Sequence, residues 1–211
     1  MRLADGGVRD RAIERRSDAR PPAAGGLALA TLSALAAVLA AAFFRALPLL
    51  ANRFHPDEAL YAYFGRLIAS GRDPLLAQVV VDKPPLAFYL LAGSFGLFGS
   101  GEFAARLPTY FASLLNIALL FALARRLYGP RPAALAAWLL ALSPFAILFS
   151  VTLFIDPLLT ACGLWGMWMA AAGRPRPAAL ALALGFLVKQ TAVIFLPFAQ
   201  AEGAPSGLGG A

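Results

Sequence analysis

The sequence predicts an all-α protein that crosses a membrane several times. Three observations carry this. Of the 211 residues, 60% are apolar and 14% are charged, against roughly 45–50% and 25% in soluble domains. The apolar residues are gathered into runs of span length, and the mean hydropathy is +0.72. The arginines cluster between those runs. The same composition excludes a disordered chain, which needs low hydrophobicity and high charge. Cys162 is the only cysteine, so an intrachain disulfide framework is excluded. The net charge of +7 reads as membrane topology rather than nucleic-acid affinity.

Residues 1–26 form a polar tail with six arginines (Arg2, Arg9, Arg11, Arg15, Arg16, Arg20) and four acids. Leu27–Leu50 comes next as the first span, interrupted by Arg45 and Pro48. A signal-peptide core is about 7–15 residues, so this run is read as a retained span. A signal cleaved near Ala40–Ala42 is the alternative, and it leaves the sidedness of the rest of the chain unchanged. Four later runs reach or approach the length that crosses a ~30 Å hydrocarbon core: Arg106–Leu127, Ala133–Phe154, Pro157–Ala172 and Ala178–Ala199.

Leu86–Phe98 is apolar but short, and it contains Gly93 and Gly96. The basic residues decide its role. Lys/Arg-rich short loops stay cytoplasmic. If Leu86–Phe98 lies in the interface, then the N-terminal arginines, Arg125/Arg126/Arg131 and Arg174/Arg176 all fall on the cytoplasmic side. If it spans, the first cluster lands opposite the others. The expected topology therefore has five spans, a cytoplasmic N-terminus and a large external loop over residues 51–105. Residues 27–199 form the membrane unit. Residues 200–211 are a Gly/Pro/Ser tail without a packing pattern.

Six acids remain in the middle of the chain: Asp57, Glu58, Asp73, Asp82, Glu102 and Asp156. All six fall on the external side of this topology, the pattern of an active site at the outer membrane surface. After Asp57 the apolar residues Leu60, Phe64, Leu67 and Ile68 recur at helical spacing, which predicts an amphipathic helix in the interface. Asp57 and Glu58 open that helix. Acids in a first turn also complement the helix dipole, so this pair reads either as capping or as chemistry. Asp82-Lys83-Pro84-Pro85 is held extended by its prolines. Its ammonium suits a lipid phosphate or simply snorkels. Glu102 and Arg106 are spaced as a helical ion pair. Asp156 before Pro157 reads as a helix N-cap or an active-site acid. Lys189, well inside the last apolar run, is a functional candidate by its depth or a partner within the bundle. His55 is the only histidine, and no metal-ligand spacing supports a metal. Phosphate-loop, HExxH and GxSxG motifs are absent from the sequence.

The segments HPDEALYAYFGRLIASGRDP, DKPPLAFYLLAGSFGLFGSGEFAARLPTYFASLLNIALLFALARRLYG, LSPFAILFSVTLFIDPLLTA and LGFLVKQTAVIFLP resemble the membrane-embedded GT-C glycosyltransferases. The similarity is greatest to protein O-mannosyltransferase-like and lipid A aminoarabinose-transferase-like members, including the Rgt-type bacterial enzymes, over about residues 27–199. The resemblance implies the N-terminal part of a GT-C fold. It also implies transfer of a sugar from a polyprenyl-phosphate carrier to a lipid, glycan or protein acceptor on the outer face of the plasma (inner) membrane. No cofactor and no nucleic-acid partner are expected. Asp57 matches the catalytic aspartate and Glu58 its partner. Lys83 matches the lysine that contacts the carrier phosphate, and Asp156 matches the second active-site aspartate. Arg106 joins Lys83 as a candidate for charge stabilisation. Tyr61 matches the tyrosine of the DExRY pattern of aminoarabinose transferases, but Leu60 replaces its arginine, which argues against aminoarabinose as the sugar. Members of this family carry about twice as many spans or more, so a truncated copy is also expected. Two other classes compete: a non-catalytic membrane scaffold, and a transporter. A transporter would place its charges near the midplane on broken helices.

Overall fold

The computed structural model describes residues 24–51 and 54–197; the basic tail up to residue 23 and residues 198–211, including the Gly/Pro/Ser tail, lie outside the described residues. Among the described residues the regular structure is entirely helical: α1 (Ala24–Ala51), α2 (Pro56–Ala69), α3 (Leu86–Phe98), α4 (Glu102–Tyr128), α5 (Pro130–Leu142), α6 (Pro144–Ser150), α7 (Asp156–Ala171) and α8 (Pro175–Val188), then a 3₁₀ helix at Gln190–Phe195. The chain is an all-α membrane protein.

Among the described residues two helices, α1 over Gly25–Leu49 and α4, are long and apolar enough to cross a membrane, and α5 with α6 makes a third if the bent pair is one span. The expected run Ala133–Phe154 is thus not straight. It bends by 59° between Leu142 and Pro144. Pro144 has no N–H to continue the ladder, and Ser143 starts the new helix by accepting from the Ala146 N–H at 3.4 Å. The expected run Ala178–Ala199 is also broken. Its helix ends at Val188, Lys189 is extended (φ −156°, ψ 134°), and a 3₁₀ turn comes after it. The last two expected spans are therefore helices of 16 and 14 residues.

The central post is α4. It packs against α1, α3, α5, α6 and α7, while α7 packs on α8. Small residues set these distances. Ala30, Ala34, Ala37 and Ala41 of α1 recur at i+3 and i+4 and bury against Ala133, Ala137 and Ala141 of α5, beside Ile117, Phe121 and Ala124 of α4. Such seams let backbones approach closely where no hydrophobic drive separates helix from lipid. Leu32, Leu35, Leu39, Phe43 and Leu47 of α1 point outward, as lipid-facing residues do.

The buried face of α2 differs from the expected stripe. Glu58, Ala62 and Gly65 turn inward with Phe64, while Leu60 and Tyr63 are about half exposed. The reason is contact distance. A Cβ on Gly65 would lie 2.7 Å from Leu91 Cγ, so small residues seat α2 closely on α3, with Phe64 buried beside them and Leu60 and Tyr63 turned outward.

Candidate active site

The candidate residues come from five separated segments that meet at one end of the bundle. The first is the start of α2. His55 is its N-cap, accepting from the Asp57 N–H through Nδ1 at 3.4 Å, and the His55 N–H donates to Glu58 Oε2 at 2.7 Å. This is a capping box. It explains why one acid of the pair is buried and the other is not: Glu58 folds back under the turn at 3% exposure, while the Asp57 side chain is 63% exposed. His55 Nδ1 lies 3.7 Å from Asp57 Oδ2, and no group of three or more metal-ligating side chains occurs among the described residues.

Glu58 also reaches the second segment, the loop between α6 and α7. Its Oε1 accepts from the Leu153 N–H at 3.0 Å. The same oxygen lies 3.7 Å from Arg106 Nε in α4. Arg106 is 1% exposed, with Glu102 Oε2 3.8 Å from Nη1 and Phe54 5.0 Å beneath its guanidinium. Glu58 and Arg106 thus form a buried brace that fixes the α2 start to α4 and to residues 152–155. The Thr109 hydroxyl donates to the Thr152 carbonyl at 2.5 Å and holds the same loop. The His55 and Phe154 rings pack 6.4 Å apart, which sets Asp156 close behind the α2 start.

Lys83 arrives on the loop before α3. Upstream, both Asp73 oxygens accept backbone N–H groups, from Ala77 at 2.8 Å and Gln78 at 2.9 Å, and Tyr89 donates to the Pro74 carbonyl at 2.8 Å. Lys83 bonds to the Asp82 carboxylate and its ammonium lies 6.0 Å above the Tyr61 ring. Tyr61 sits one turn after Asp57 on α2, and its ring packs on Phe88 of α3 at 5.7 Å. The Asp82 bond raises the Lys83 pKa above its ordinary value, and the Lys83 bond lowers that of Asp82. Lys83 is therefore a fixed cation, held by an acid that competes with any phosphate.

The break in α8 supplies the last segment. Lys189 Nζ bonds to Asp156 Oδ1 at 2.7 Å, and Gln190 Nε2 donates to the Asp82 carbonyl at 3.2 Å. Beneath them Ala87, Ile155, Leu159, Val188 and Ala192 form one apolar cluster, which locks the starts of α3 and α7 to the end of α8. Asp156 is the first residue of α7 rather than its N-cap. Ile155 occupies the cap position, with no side-chain bond. The Asp156 carboxylate, half exposed, is thus not used in capping.

Asp57 and Asp156 reach this end with exposed and half-exposed side chains, Tyr61 and Lys83 are partly buried there, and Glu58 and Arg106 lie beneath. Sequence reasoning leaves out Gln190 and the Leu153 amide; it offers Lys189 as a partner within the bundle without naming Asp156 as that partner. A lysine inside an apolar run, read together with an Asp-Pro elsewhere that needs a cation, is the available signal. Residues 82–201 match the family described as dolichyl-phosphate-mannose-protein mannosyltransferase. The undecaprenyl phosphate-alpha-4-amino-4-deoxy-L-arabinose arabinosyl transferase of Edwardsiella ictaluri (strain 93-146) is 30% identical over 162 residues, 68% of this chain and 29% of that protein. The protein of the same name from Pseudomonas aeruginosa (strain LESB58) is 29% identical over 159 residues, 67% of this chain and 29% of that protein. The chain therefore spans less than a third of the length of these curated relatives. No solved structure matches it. With more than half of its length matched, the chain belongs to the dolichyl-phosphate-mannose-protein mannosyltransferase family.

Proposed function

We propose that this chain carries the donor end of a membrane glycosyltransferase, which moves a sugar from a polyprenyl-phosphate carrier to an acceptor hydroxyl on a lipid, glycan or protein. The observation that carries the reading is the gathering of an exposed carboxylate, Asp57, a fixed ammonium, Lys83, and a second acid, Asp156, at one end of an apolar bundle. An apolar bundle suits the polyprenyl tail, and Lys83 suits its phosphate. The names of the two relatives specify an undecaprenyl phosphate carrier, which supports a carrier of that class here. Transporter chemistry is less well supported, because these charges gather at an end rather than at mid-bundle.

In the reaction, the acceptor oxygen forms a bond to the anomeric carbon as the bond from that carbon to the phosphate oxygen breaks. Asp57 takes the acceptor proton, a general-base contribution of about 10²–10⁴ in rate. The polyprenyl phosphate leaves as an anion, which Lys83 stabilises. One displacement inverts the anomeric centre. Asp156, held by Lys189, orients the acceptor side, and Glu58 with Arg106 positions Asp57 from below. The reading sets the site on the external face of the plasma (inner) membrane. The N-terminus is then cytoplasmic and residues 27–199 form the catalytic membrane unit.

The test is donor binding and turnover by the purified chain in nanodiscs. Lys83→Ala should weaken polyprenyl-phosphate binding by about 1.5–3 kcal/mol, the size of a hydrogen bond to a charged group. Asp57→Asn should leave that binding intact and lower turnover by about 10² or more. Normal turnover in Asp57→Asn would remove the general-base role. Sidedness is tested by cysteines at Ser70 and Arg131 in a Cys162→Ser background. An impermeant thiol reagent on intact cells should label position 70, and labelling of 131 alone would invert the topology.

A further inference from the structure

A second basic hollow lies away from Lys83, between the last turn of α2 and the outer part of α3. It has a volume of about 470 Å³, and its lining includes Tyr63, Arg66, Ser70, Arg72, Phe95 and Ser100. Gly96 also lines it, and a Cβ there would meet no atom within 4 Å, so the hollow is open along the α3 wall.

Its two guanidiniums keep N–H groups that the fold does not use. Lys83, Arg106 and Lys189 each pair with an acid, whereas neither Arg66 nor Arg72 is in an ion pair among the described residues. Arg66 places one Nη on the Ser100 carbonyl at 2.8 Å and lies 5.9 Å from the Phe95 ring, leaving its other N–H groups for a ligand. Arg72 donates to nothing among the described residues. The neighbouring acid, Asp73, is 5% exposed and occupied by the Ala77 and Gln78 amides. The negative end of α2 is closed as well. The carbonyls of Arg66, Leu67 and Ile68 accept from the N–H groups of Ser70, Asp73 and Gly71, so the cations are not consumed as a helix cap.

Apolar side chains share the lining: Leu67, Ala69 and Phe95 stand with Tyr63, which is 49% exposed. Two guanidiniums recognise a phosphate through paired N–H groups, and an adjoining apolar rim takes hydrocarbon rather than water. A soluble anion would use the first feature and leave the second wet.

We propose that Arg66 and Arg72 form a binding site for the phosphate of an acidic membrane lipid, with Ser70 and Ser100 beside the headgroup and the acyl chains along Tyr63, Leu67 and the α3 wall at Phe95 and Gly96. The site is separate from Lys83 and does not depend on the transfer reaction.

Native mass spectrometry of the full chain released from nanodiscs of phosphatidylcholine with one-fifth phosphatidylglycerol tests this. Retained phosphatidylglycerol should exceed its share of the mixture by about tenfold, given the attraction of acidic lipid to two basic side chains. Arg66→Gln with Arg72→Gln should abolish the enrichment, and Arg66→Lys with Arg72→Lys should keep part of it, which separates lost charge from misfolding. Arg174→Gln with Arg176→Gln, a pair outside the hollow, should leave it unchanged. Undiminished enrichment in the Gln pair, or an equal loss in the Arg174/Arg176 control, overturns the site. Displacement of the lipid by millimolar inorganic phosphate would assign the hollow to a free anion instead and overturn the lipid assignment.

Discussion

Replacing Glu58 by glutamine separates a residue that touches substrate from one that holds the site together. The Glu58 carboxylate has no exposed face to offer a ligand. One oxygen takes the His55 N–H at 2.7 Å, and the other takes the Leu153 N–H at 3.0 Å and lies 3.7 Å from Arg106. Glutamine keeps one acceptor but turns an NH₂ toward one of the two N–H donors. One charge-assisted bond is lost, about 1.5–3 kcal/mol. Arg106 keeps its Glu102 contact, at 3.8 Å and half exposed, and Phe54 beneath it. Breaking a buried pair costs about 3–5 kcal/mol, and the surviving Glu102 contact puts the expected loss near the lower end, about 3 kcal/mol. For a chain of this length that is a fall in Tm of about 6–12 °C. Cys162, the sole cysteine and partly buried, supplies the assay, because a thiol-reactive dye reports its exposure as detergent-solubilised protein unfolds. Glu58→Asp, too short to reach both amides, should fall nearly as far. An unfolding temperature within 2 °C of the parent for Glu58→Gln, with turnover lost, would refute the brace and return the carboxylate to the chemistry.

Asp82 bonds to Lys83, so Asp82→Asn should tighten polyprenyl-phosphate binding by a few-fold; weaker binding would mean that Asp82 orients Lys83 rather than competing for it. The pH dependence has a defined sign. The raised Lys83 pKa keeps the pair's contribution present until pH rises through that value, and the lowered Asp82 pKa keeps it until pH falls through its own. Carrier affinity should therefore be flat with respect to this pair between the ordinary Asp and Lys ranges, and an inflection near neutrality that vanishes in Asp82→Asn would contradict the assignment. Arg45, fully buried, donates to the Ala141 carbonyl at 2.8 Å, the Leu140 carbonyl at 3.2 Å and Ser113 Oγ at 2.8 Å. Arg45→Met should lower stability by about 2–4 kcal/mol, because those carbonyls end a helix that Pro144 cannot continue and find no water in an apolar bundle. Unchanged thermal unfolding would show that the bend needs no such cap.

Much of this is legible in the sequence. The helix over Leu86–Phe98 has the expected bounds, the acidic pair does open α2 after Pro56, and the family resemblance is matched over residues 82–201. Composition hides the interruptions. Ala133–Phe154 and Ala178–Ala199 read as uninterrupted apolar runs because hydropathy averages over a window, and one Ser-Pro or Lys-Gln barely moves the mean. Their geometry depends on whether a partner elsewhere satisfies the freed backbone. Pairings 95 and 96 residues apart, from Arg45 to the Leu140 and Ala141 carbonyls, are beyond any local pattern. The inward face of α2 departs in part from the apolar stripe because close seating on α3 needs small residues: Ala62 and Gly65 turn inward beside Phe64, while Leu60 turns outward.

The two breaks have a common consequence for the site. Each turns the chain, and the residues that follow supply polar groups to the site. The bend after α5 leads through α6 to the Leu153 N–H that Glu58 accepts, and on to Asp156. The break after α8 presents Lys189 to Asp156 and Gln190 to the Asp82 carbonyl. The extended conformation at Lys189, with a tight turn after it, lets neighbours in sequence reach the Asp156 and Lys83 loops together. Unwound backbone in a membrane bundle is tolerated only where protein or water satisfies it. Here the Lys189 N–H still donates to the Gly185 carbonyl at 2.9 Å, and the Lys189 carbonyl accepts from the Ala192 N–H at 3.0 Å. The break is thus satisfied by its own helix ends, leaving both side chains free to join Asp156 to the loop that carries Lys83.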